Sequence, residues 1–173
     1  EGYQRICKHL SAVADKPHER YVAYTIARTL CISPGDDVDV ERMIELAAHY
    51  LGNDKSPWGL HVLGLAYYRA GQFDKAIESL ELSNDGYLHE VAKVQNWLVL
   101  ALSYKQLDDE DEAQYWMKRA RRAIEEANEQ DAKETAFISP SDWIPLHVLH
   151  REAEASFGDD LDTQEPREEQ RDE

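Results

Sequence analysis

Residues 60–80 read LHVLGLAYYRAGQFDKAIESL, and residues 97–117 read WLVLALSYKQLDDEDEAQYWM. The two stretches share one spacing of apolar and small residues, and in each the tyrosine precedes an alanine by nine positions. The first stretch places Leu60, Leu63, Gly64, Tyr67 and Ala76 in this pattern. The corresponding residues of the second stretch are Trp97, Leu100, Ala101, Tyr104 and Ala113. Because two separate spacings agree in copies that begin at 60 and 97, we infer a duplicated structural unit.

Each copy predicts a pair of helices. Its first half places residues at i, i+3, i+4 and i+7, which is one face of an α-helix. The small residue in that face, Gly64 or Ala101, allows the backbone of a second helix to approach closely. Between the predicted helices of the first copy, Gly71 suits a left-handed helix C-cap. In the second copy the break is polar, at Asp108-Asp109.

The pattern resembles the tetratricopeptide repeat, in which W-x2-L-G-x2-Y is followed by A-x3-F in a period of about 34 residues. The resemblance implies an all-α fold, a right-handed superhelix of antiparallel helix pairs (a TPR-like α-solenoid) with a C-terminal capping helix. The copies depart from the family in two respects. The turn-rich segment 84–87 lengthens the first copy, and neither copy has the proline that often closes the repeat.

We expect a single helical repeat domain at residues 1–157 and an acidic disordered tail at 158–173. The tail carries eight acidic residues against Arg167 and Arg171, with almost no apolar side chains. Within the domain we expect three units, a preceding half-unit and a final helix that covers the end of the stack. Their approximate bounds are 18–50, 57–84 and 94–132 for the units, 1–15 for the half-unit and 141–157 for the capping helix.

The formal net charge of −16 argues against binding to nucleic acid or to anionic membranes, which require clustered Lys and Arg. No apolar run approaches the ~20 residues that span a bilayer, so we expect no membrane insertion by this chain. We expect a cytoplasmic location, although the parent protein could be anchored elsewhere. Cys7 and Cys31 lie in apolar helical stripes and are expected to be buried, reduced thiols. Because the chain begins with Glu1, we expect it to be a fragment of a longer protein.

The tetratricopeptide resemblance also implies where a partner binds. In this family the first helix of each pair lines a concave groove that holds an extended or helical segment of another protein. The matched positions of this chain are Tyr21, Tyr24, Arg28, Trp58, His61, Leu65, Tyr68, Arg69, Leu98, Leu102 and Lys105. Trp58 is equally compatible with core packing. The family's Lys and Asn clamp for a terminal carboxylate is absent, because His61, Leu65, Leu98 and Leu102 occupy those places.

The charges of the predicted first helices differ from those of the whole chain. Segments 18–31, 57–69 and 92–106 contain one acidic residue, Glu19, against the five cations Arg20, Arg28, Arg69, Lys93 and Lys105. We therefore hypothesise a positive, aromatic groove that suits an acidic or phosphorylated segment, since Arg and aromatic anchors dominate such interfaces. The competing interpretation is that these are ordinary solvated side chains.

We find no sequence pattern for catalysis. His147, His150 and Glu154 share a helical face, but a structural metal site needs a further ligand from elsewhere, so a polar helix edge is the preferred interpretation. The chain has no nucleophile elbow, no phosphate-binding glycine loop and no CxxC. We expect no enzyme activity, no cofactor and no metal.

Over most of residues 3–157 the chain resembles the repeat regions of bacterial multidomain signalling proteins, such as serine/threonine kinases or WD40-repeat proteins. The resemblance implies a protein–protein interaction module of a larger regulator. Two alternatives remain open. One is a scaffold that associates with itself through Tyr3, Ile6 and Leu10. The other is an autoinhibitory spacer that holds its own tail, residues 159–173, in the groove.

Overall fold

The computed structural model describes residues 2–14, 19–32, 38–53, 55–131 and 140–158, and the regular elements of these residues are eight α-helices. The predicted all-α class is therefore confirmed. The predicted acidic tail beyond residue 158 lies outside the described residues, as do the side chains of Tyr3 and Cys7. In chain order the helices are α1 Gly2–Ala14, α2 Arg20–Ile32, α3 Val40–Leu51, α4 Pro57–Arg69, α5 Phe73–Asn84, α6 Glu90–Gln106, α7 Glu110–Asp131 and α8 Pro140–Phe157.

From α1 to α7, each helix packs mainly against its neighbours in the chain, and α2, α4 and α6 also pack side by side. Because only short turns link α4 to α5 and α6 to α7, the helices of these two pairs run antiparallel. The surface that α2, α4 and α6 form together is called the first-helix surface here. One hydrophobic cluster runs through the helices, with buried members such as Leu30, Met43, Leu80, Met117 and Leu149.

The turns of the two sequence copies have the same backbone geometry. In the first, the amide of Gln72 donates to the carbonyl of Tyr67 at 2.9 Å, and Gly71 has φ of 70°. In the second, the amide of Asp109 donates to the carbonyl of Tyr104 at 3.0 Å, and Asp108 has φ of 60°. Gly71 is thus the left-handed C-cap residue that the sequence predicts. The turn at Asp108 takes the same form although the residue is not glycine.

At Gly64, α4 and α5 approach each other closely. A Cβ atom added to it would lie 2.5 Å from Cγ of Leu80 and 3.4 Å from the carbonyl oxygen of Ala76. Real Cβ atoms essentially never come within 3.0 Å of another side chain. The small residue in the repeated pattern is therefore a steric requirement of the helix pair.

Three helix C-termini are capped by arginines that belong to other helices. Arg42 of α3 donates to the carbonyl of Ala14 at the end of α1, at 2.7 and 2.8 Å. Arg20 of α2 donates to the carbonyl of Tyr50 near the end of α3, at 2.7 and 3.1 Å. Arg69 of α4 donates to the carbonyls of Cys31 and Ile32 at the end of α2. Each guanidinium satisfies carbonyls that have no partner within their own helix.

The last helix, α8, does not lie where the sequence predicted an end cap. It packs along α6 and reaches α2, so it crosses the first-helix surface. It begins at Pro140, and Pro145 lies inside the helix. Its apolar residues Leu146, Leu149, Ala153 and Phe157 are buried in the common core. They cover the surface that had been predicted as an open groove.

We expect Gly64→Ala to lower the free energy of unfolding by about 1–3 kcal/mol, because the added methyl overpacks the contact with Leu80. Helix propensity alone predicts the opposite sign, since alanine is favoured over glycine by about 1 kcal/mol in a helix. Urea unfolding measures the change. The difference in unfolding free energy between Glu78→Ala and Glu78→Gly, at an exposed position of α5, measures how much helix propensity alone favours alanine over glycine in this protein. An increase in stability for Gly64→Ala would contradict the close approach.

We expect Asp108→Gly to raise the free energy of unfolding by up to about 1 kcal/mol, because glycine adopts a positive φ without a Cβ clash. Gly71→Ala, at the matching turn, should lower it by about 1 kcal/mol. Thermal unfolding of both variants beside the parent protein tests the pair. A loss of stability in Asp108→Gly would show that the aspartate backbone is unstrained there.

Candidate partner-binding surface

Arg69 is the central residue of the predicted groove. It ends α4, and its Nε and Nη2 atoms donate to the carbonyls of Cys31 and Ile32 at 2.6 and 2.5 Å. The same guanidinium forms a two-bond ion pair with Glu152 of α8, with Nη1–Oε1 at 2.6 Å and Nη2–Oε2 at 2.8 Å. Its side chain is only 10% exposed. One arginine therefore joins α2, α4 and α8.

Tyr68 completes the binding of Glu152. Its hydroxyl donates to Oε1 of Glu152 at 2.7 Å, so the carboxylate accepts three hydrogen bonds from α4. Burial, and then the negative charge of Glu152, raise the pKa of Tyr68. The phenol stays protonated as a donor, and the site as a whole recognises one carboxylate.

The contacts of α8 continue along α6 and α7. Nζ of Lys105 lies 4.4 Å from the ring centroid of Phe157, a cation–π contact. Arg121 of α7 pairs with Glu154, with Nε–Oε1 at 2.8 Å, and this hydrogen bonding is the main cause of the lowered pKa of Glu154. The acidic and aromatic side chains of α8 thus meet cations on three helices of the domain.

Three predicted groove residues are buried in the hydrophobic core. Leu65, Leu98 and Leu102 have exposed fractions of at most 2%. Leu98 and Leu102 lie on the same helical stripe as Lys105, seven and three residues before it, and α8 packs along this helix. Together with Leu65 they belong to the same hydrophobic cluster as the buried residues of α8, so the prediction of an open groove at these positions requires correction.

His61 is also not a groove residue. It is fully buried, and its Nδ1 atom lies 2.6 Å from Oδ1 of Asn96 on α6. The amide of Asn96 donates in turn to Ser83 and Asn84 of α5, at 3.1 and 2.9 Å. This buried polar network fixes α4, α5 and α6 relative to one another. Sequence periodicity missed it because a histidine beside an apolar stripe gives no indication of its partner.

The remaining predicted residues lie toward the edges of the surface. Tyr24 packs against Tyr50 with ring centroids 4.5 Å apart, while Tyr21 is 72% exposed. Arg28 is half-buried. Trp58 lies between His61 and His89, at centroid distances of 6.0 and 5.7 Å, and is half-buried, so it takes part in inter-helix packing.

The sequence interpretation missed Glu152 and Phe157, the residues of α8 that occupy the surface. The pattern 151–155, Arg-Glu-Ala-Glu-Ala, was visible, but nothing in it showed that Glu152 pairs with an arginine 83 positions earlier.

The histidines and carboxylates of α8 have partners other than a metal ion in the part of the chain that the structure describes. No group of three His, Cys, Asp or Glu side chains there is arranged to hold a metal ion. Glu154 binds Arg121 and His150, and His147 lies against Trp143. Among the described helices, none combines the length and apolar character needed to cross a bilayer.

Comparison of the chain with protein-family models, with curated proteins and with solved structures found no match.

We expect the stability of the protein to fall as pH rises above about 9, in part because of Cys31. Burial raises the pKa of this thiol from 9.0 to about 12. The contribution is complete below pH 9, where folded and unfolded states both hold the proton, and it is lost between pH 9 and 12 because only the unfolded state ionises. The loss amounts to at most about 1.4 kcal/mol per pH unit.

The measurement is urea unfolding at pH 8 and 10.5 in a Cys7→Ser background, with and without Cys31→Ala. The alanine variant should show a shallower pH dependence. The pH dependence of stability that remains in the alanine variant includes contributions from Tyr68 and Tyr104, whose pKa values are raised as well. Equal slopes in the two proteins would contradict a buried, neutral Cys31.

Proposed function

We propose that this domain is a tetratricopeptide-like interaction module whose first-helix surface binds an acidic amphipathic helix of a partner protein. The observation that carries the proposal is the binding of α8: Arg69 and Tyr68 hold one carboxylate, Lys105 contacts one aromatic ring, and both ligand groups come from a single helix. Such contacts of apolar anchors with a charged pair are typical of helix-in-groove recognition.

The repeat architecture supports the proposal. The matching turns at Gly71 and Asp108, and the close approach at Gly64, are what two copies of one helix-pair unit would produce. We infer that the pairs α2–α3, α4–α5 and α6–α7 are the units of a right-handed α-solenoid. In such a stack the first helices line one continuous surface, which suits a long, narrow ligand.

The chemistry of α8 defines the expected partner. Leu149, Glu152, Ala153 and Phe157 occupy positions i, i+3, i+4 and i+8, which places them along one side of a helix. A partner helix with leucine, glutamate, a small residue and an aromatic residue at this spacing would present the same groups. Its carboxylate would replace that of Glu152 on Arg69, so the guanidinium is not left buried and unpaired.

In this proposal α8 is an intramolecular competitor. A tethered helix has an effective concentration in the millimolar range, so a partner in solution must bind the open surface more tightly than α8 does or must be present in excess. A second candidate function follows from the same contacts. If α8 never leaves the first-helix surface, the domain is a closed spacer without an external ligand. This corresponds to the autoinhibitory alternative, except that α8 and not the acidic tail occupies the surface.

The resemblance to bacterial signalling proteins adds a setting for the module. There it would link a regulator to a partner that displays an acidic or phosphorylated segment. Self-association is a weaker alternative: Ile6 is 53% exposed at the N-terminal end of the domain, but Leu10 is half-buried.

We expect a full-length Glu152→Arg/Phe157→Asp variant, in which α8 is weakened, to bind a fluorescent peptide of residues 140–158. The parent protein should bind this peptide at least about tenfold more weakly because its own α8 occupies the surface. Adding Arg69→Glu to the variant should reduce binding by about tenfold or more, the typical effect of losing a charged hydrogen-bonded pair. A peptide with arginine in place of Glu152 should then restore it.

Fluorescence anisotropy measures the peptide affinity, and circular dichroism checks that each variant remains helical. A peptide carrying Arg151→Glu is the matched control, because Arg151 is exposed and should not contact the surface. If the folded α8 variant does not bind the peptide, or if the charge exchange does not restore binding, the closed-spacer function is favoured instead.

A further inference from the structure

A second cationic surface lies on α7, apart from the contacts of α8. Residues 118–122 read Lys-Arg-Ala-Arg-Arg, four cations in five positions of a chain with a net charge of −16. Arg121 points toward α8, where it pairs with Glu154. Lys118, Arg119 and Arg122 instead line one open cavity, to which Arg121 does not contribute. These three cations define the α7 cationic surface.

Arg119 contacts three aromatic side chains. Its guanidinium carbon lies 4.4 Å from the ring centroid of Trp97 and 5.7 Å from that of Trp116. Its Nη1 atom donates to the hydroxyl of Tyr115 at 3.1 Å. Stacking on an aromatic face leaves donors at the edge of the planar guanidinium directed outward, which suits the two oxygens of a carboxylate.

The cations of this surface are weakly compensated. Within the described part of the chain, no carboxylate lies within ion-pair distance of Lys118 or Arg119. Arg122 pairs with Glu126 at 2.8 Å, but the two side chains are 82% and 57% exposed, and such surface pairs contribute little. Lys118 and Arg122 are like charges at i and i+4, a spacing that destabilises a helix. A bound anion would relieve this repulsion.

The surface also has a concave apolar part. Trp97, Tyr115 and Ala123 line an open cavity of about 550 Å³ together with the three cations and Glu126. The volume falls within the range of ligand-binding clefts. A small inorganic anion would use the cations and leave the aromatic wall empty. A peptide can occupy both, with carboxylates at the rim and an apolar side chain against Trp97.

We propose that the α7 cationic surface binds an acidic segment of a partner polypeptide, in which Asp or Glu residues flank an apolar side chain. The carboxylates pair with Lys118, Arg119 and Arg122, and the apolar side chain lies on Trp97 and Tyr115. Charge complementarity selects this partner, because the net charge of −16 opposes nucleic acid and leaves these cations as a local exception. The site is separate from the first-helix surface, and both can be occupied together.

The test uses the full chain and a fluorescein-labelled synthetic decapeptide of aspartate and glutamate with a central leucine. Anisotropy at low ionic strength should show saturable binding. Lys118→Glu/Arg119→Glu should weaken it by at least about tenfold. The matched control is Arg5→Glu/Lys8→Glu, which makes the same change in net charge at two exposed positions of α1 and should reduce affinity by less than about twofold.

Two further variants distinguish binding at a specific site from non-specific electrostatic attraction. Arg119→Lys keeps the charge but loses the stacked planar fork, so we expect several-fold weaker binding. Lys105→Glu, which removes a cation of the first-helix surface and leaves α7 unchanged, should bind the decapeptide nearly as the parent protein does.

The proposal is overturned if the α7 and α1 double variants weaken binding equally, or if Arg119→Lys binds like the parent protein. Those results would mean that the peptide responds to charge alone. It is also overturned if Lys105→Glu weakens binding severalfold, since the peptide would then be bound at the first-helix surface. That result would leave the function proposed for the first-helix surface intact.

Discussion

The arrangement of this domain depends on one guanidinium. Arg69 donates to the last carbonyls of α2 and to both oxygens of Glu152, so it fixes the end of one helix and the position of another at once. A buried arginine is unfavourable unless its donors are satisfied, and here two carbonyls and a carboxylate satisfy them. This carboxylate comes from α8. Whatever occupies the first-helix surface therefore also affects how stably α2 packs against α4.

The sequence predicted the helices well, for a physical reason. Apolar spacing and small residues act over a few turns, so the helix pair around Gly64 and the left-handed cap at Gly71 could be derived from local pattern. The same reasoning predicted a break at Asp108-Asp109, but not its positive φ, since an aspartate gives no conformational requirement of that kind. The lengths of the helices and their pairing within a unit could thus be predicted from the sequence. A turn in which another residue takes the place of glycine could not.

The candidate site was predicted only in part, because it depends on contacts between distant residues. The resemblance to a repeat family indicated that Tyr68, Arg69 and Lys105 share a surface, and the structure brings all three against α8. That an acidic helix of the same chain fills this surface could not be derived, since periodicity describes which face of a helix is apolar and not what covers it. The position of His61 beside Asn96 was inaccessible for the same reason. The cations at 118–122 were visible as a run in the sequence, but their aromatic support was not.

The arginines that cap α1, α2 and α3 belong to other helices, and this affects how the domain opens locally. When the last turn of one of these three helices frays, it loses the hydrogen bonds donated by Arg42, Arg69 or Arg20 of another helix in addition to its own. Fraying of one helix end therefore also breaks contacts to a second helix. In amide hydrogen exchange, α1 to α4 would behave as one cooperative unit rather than as four elements of graded stability.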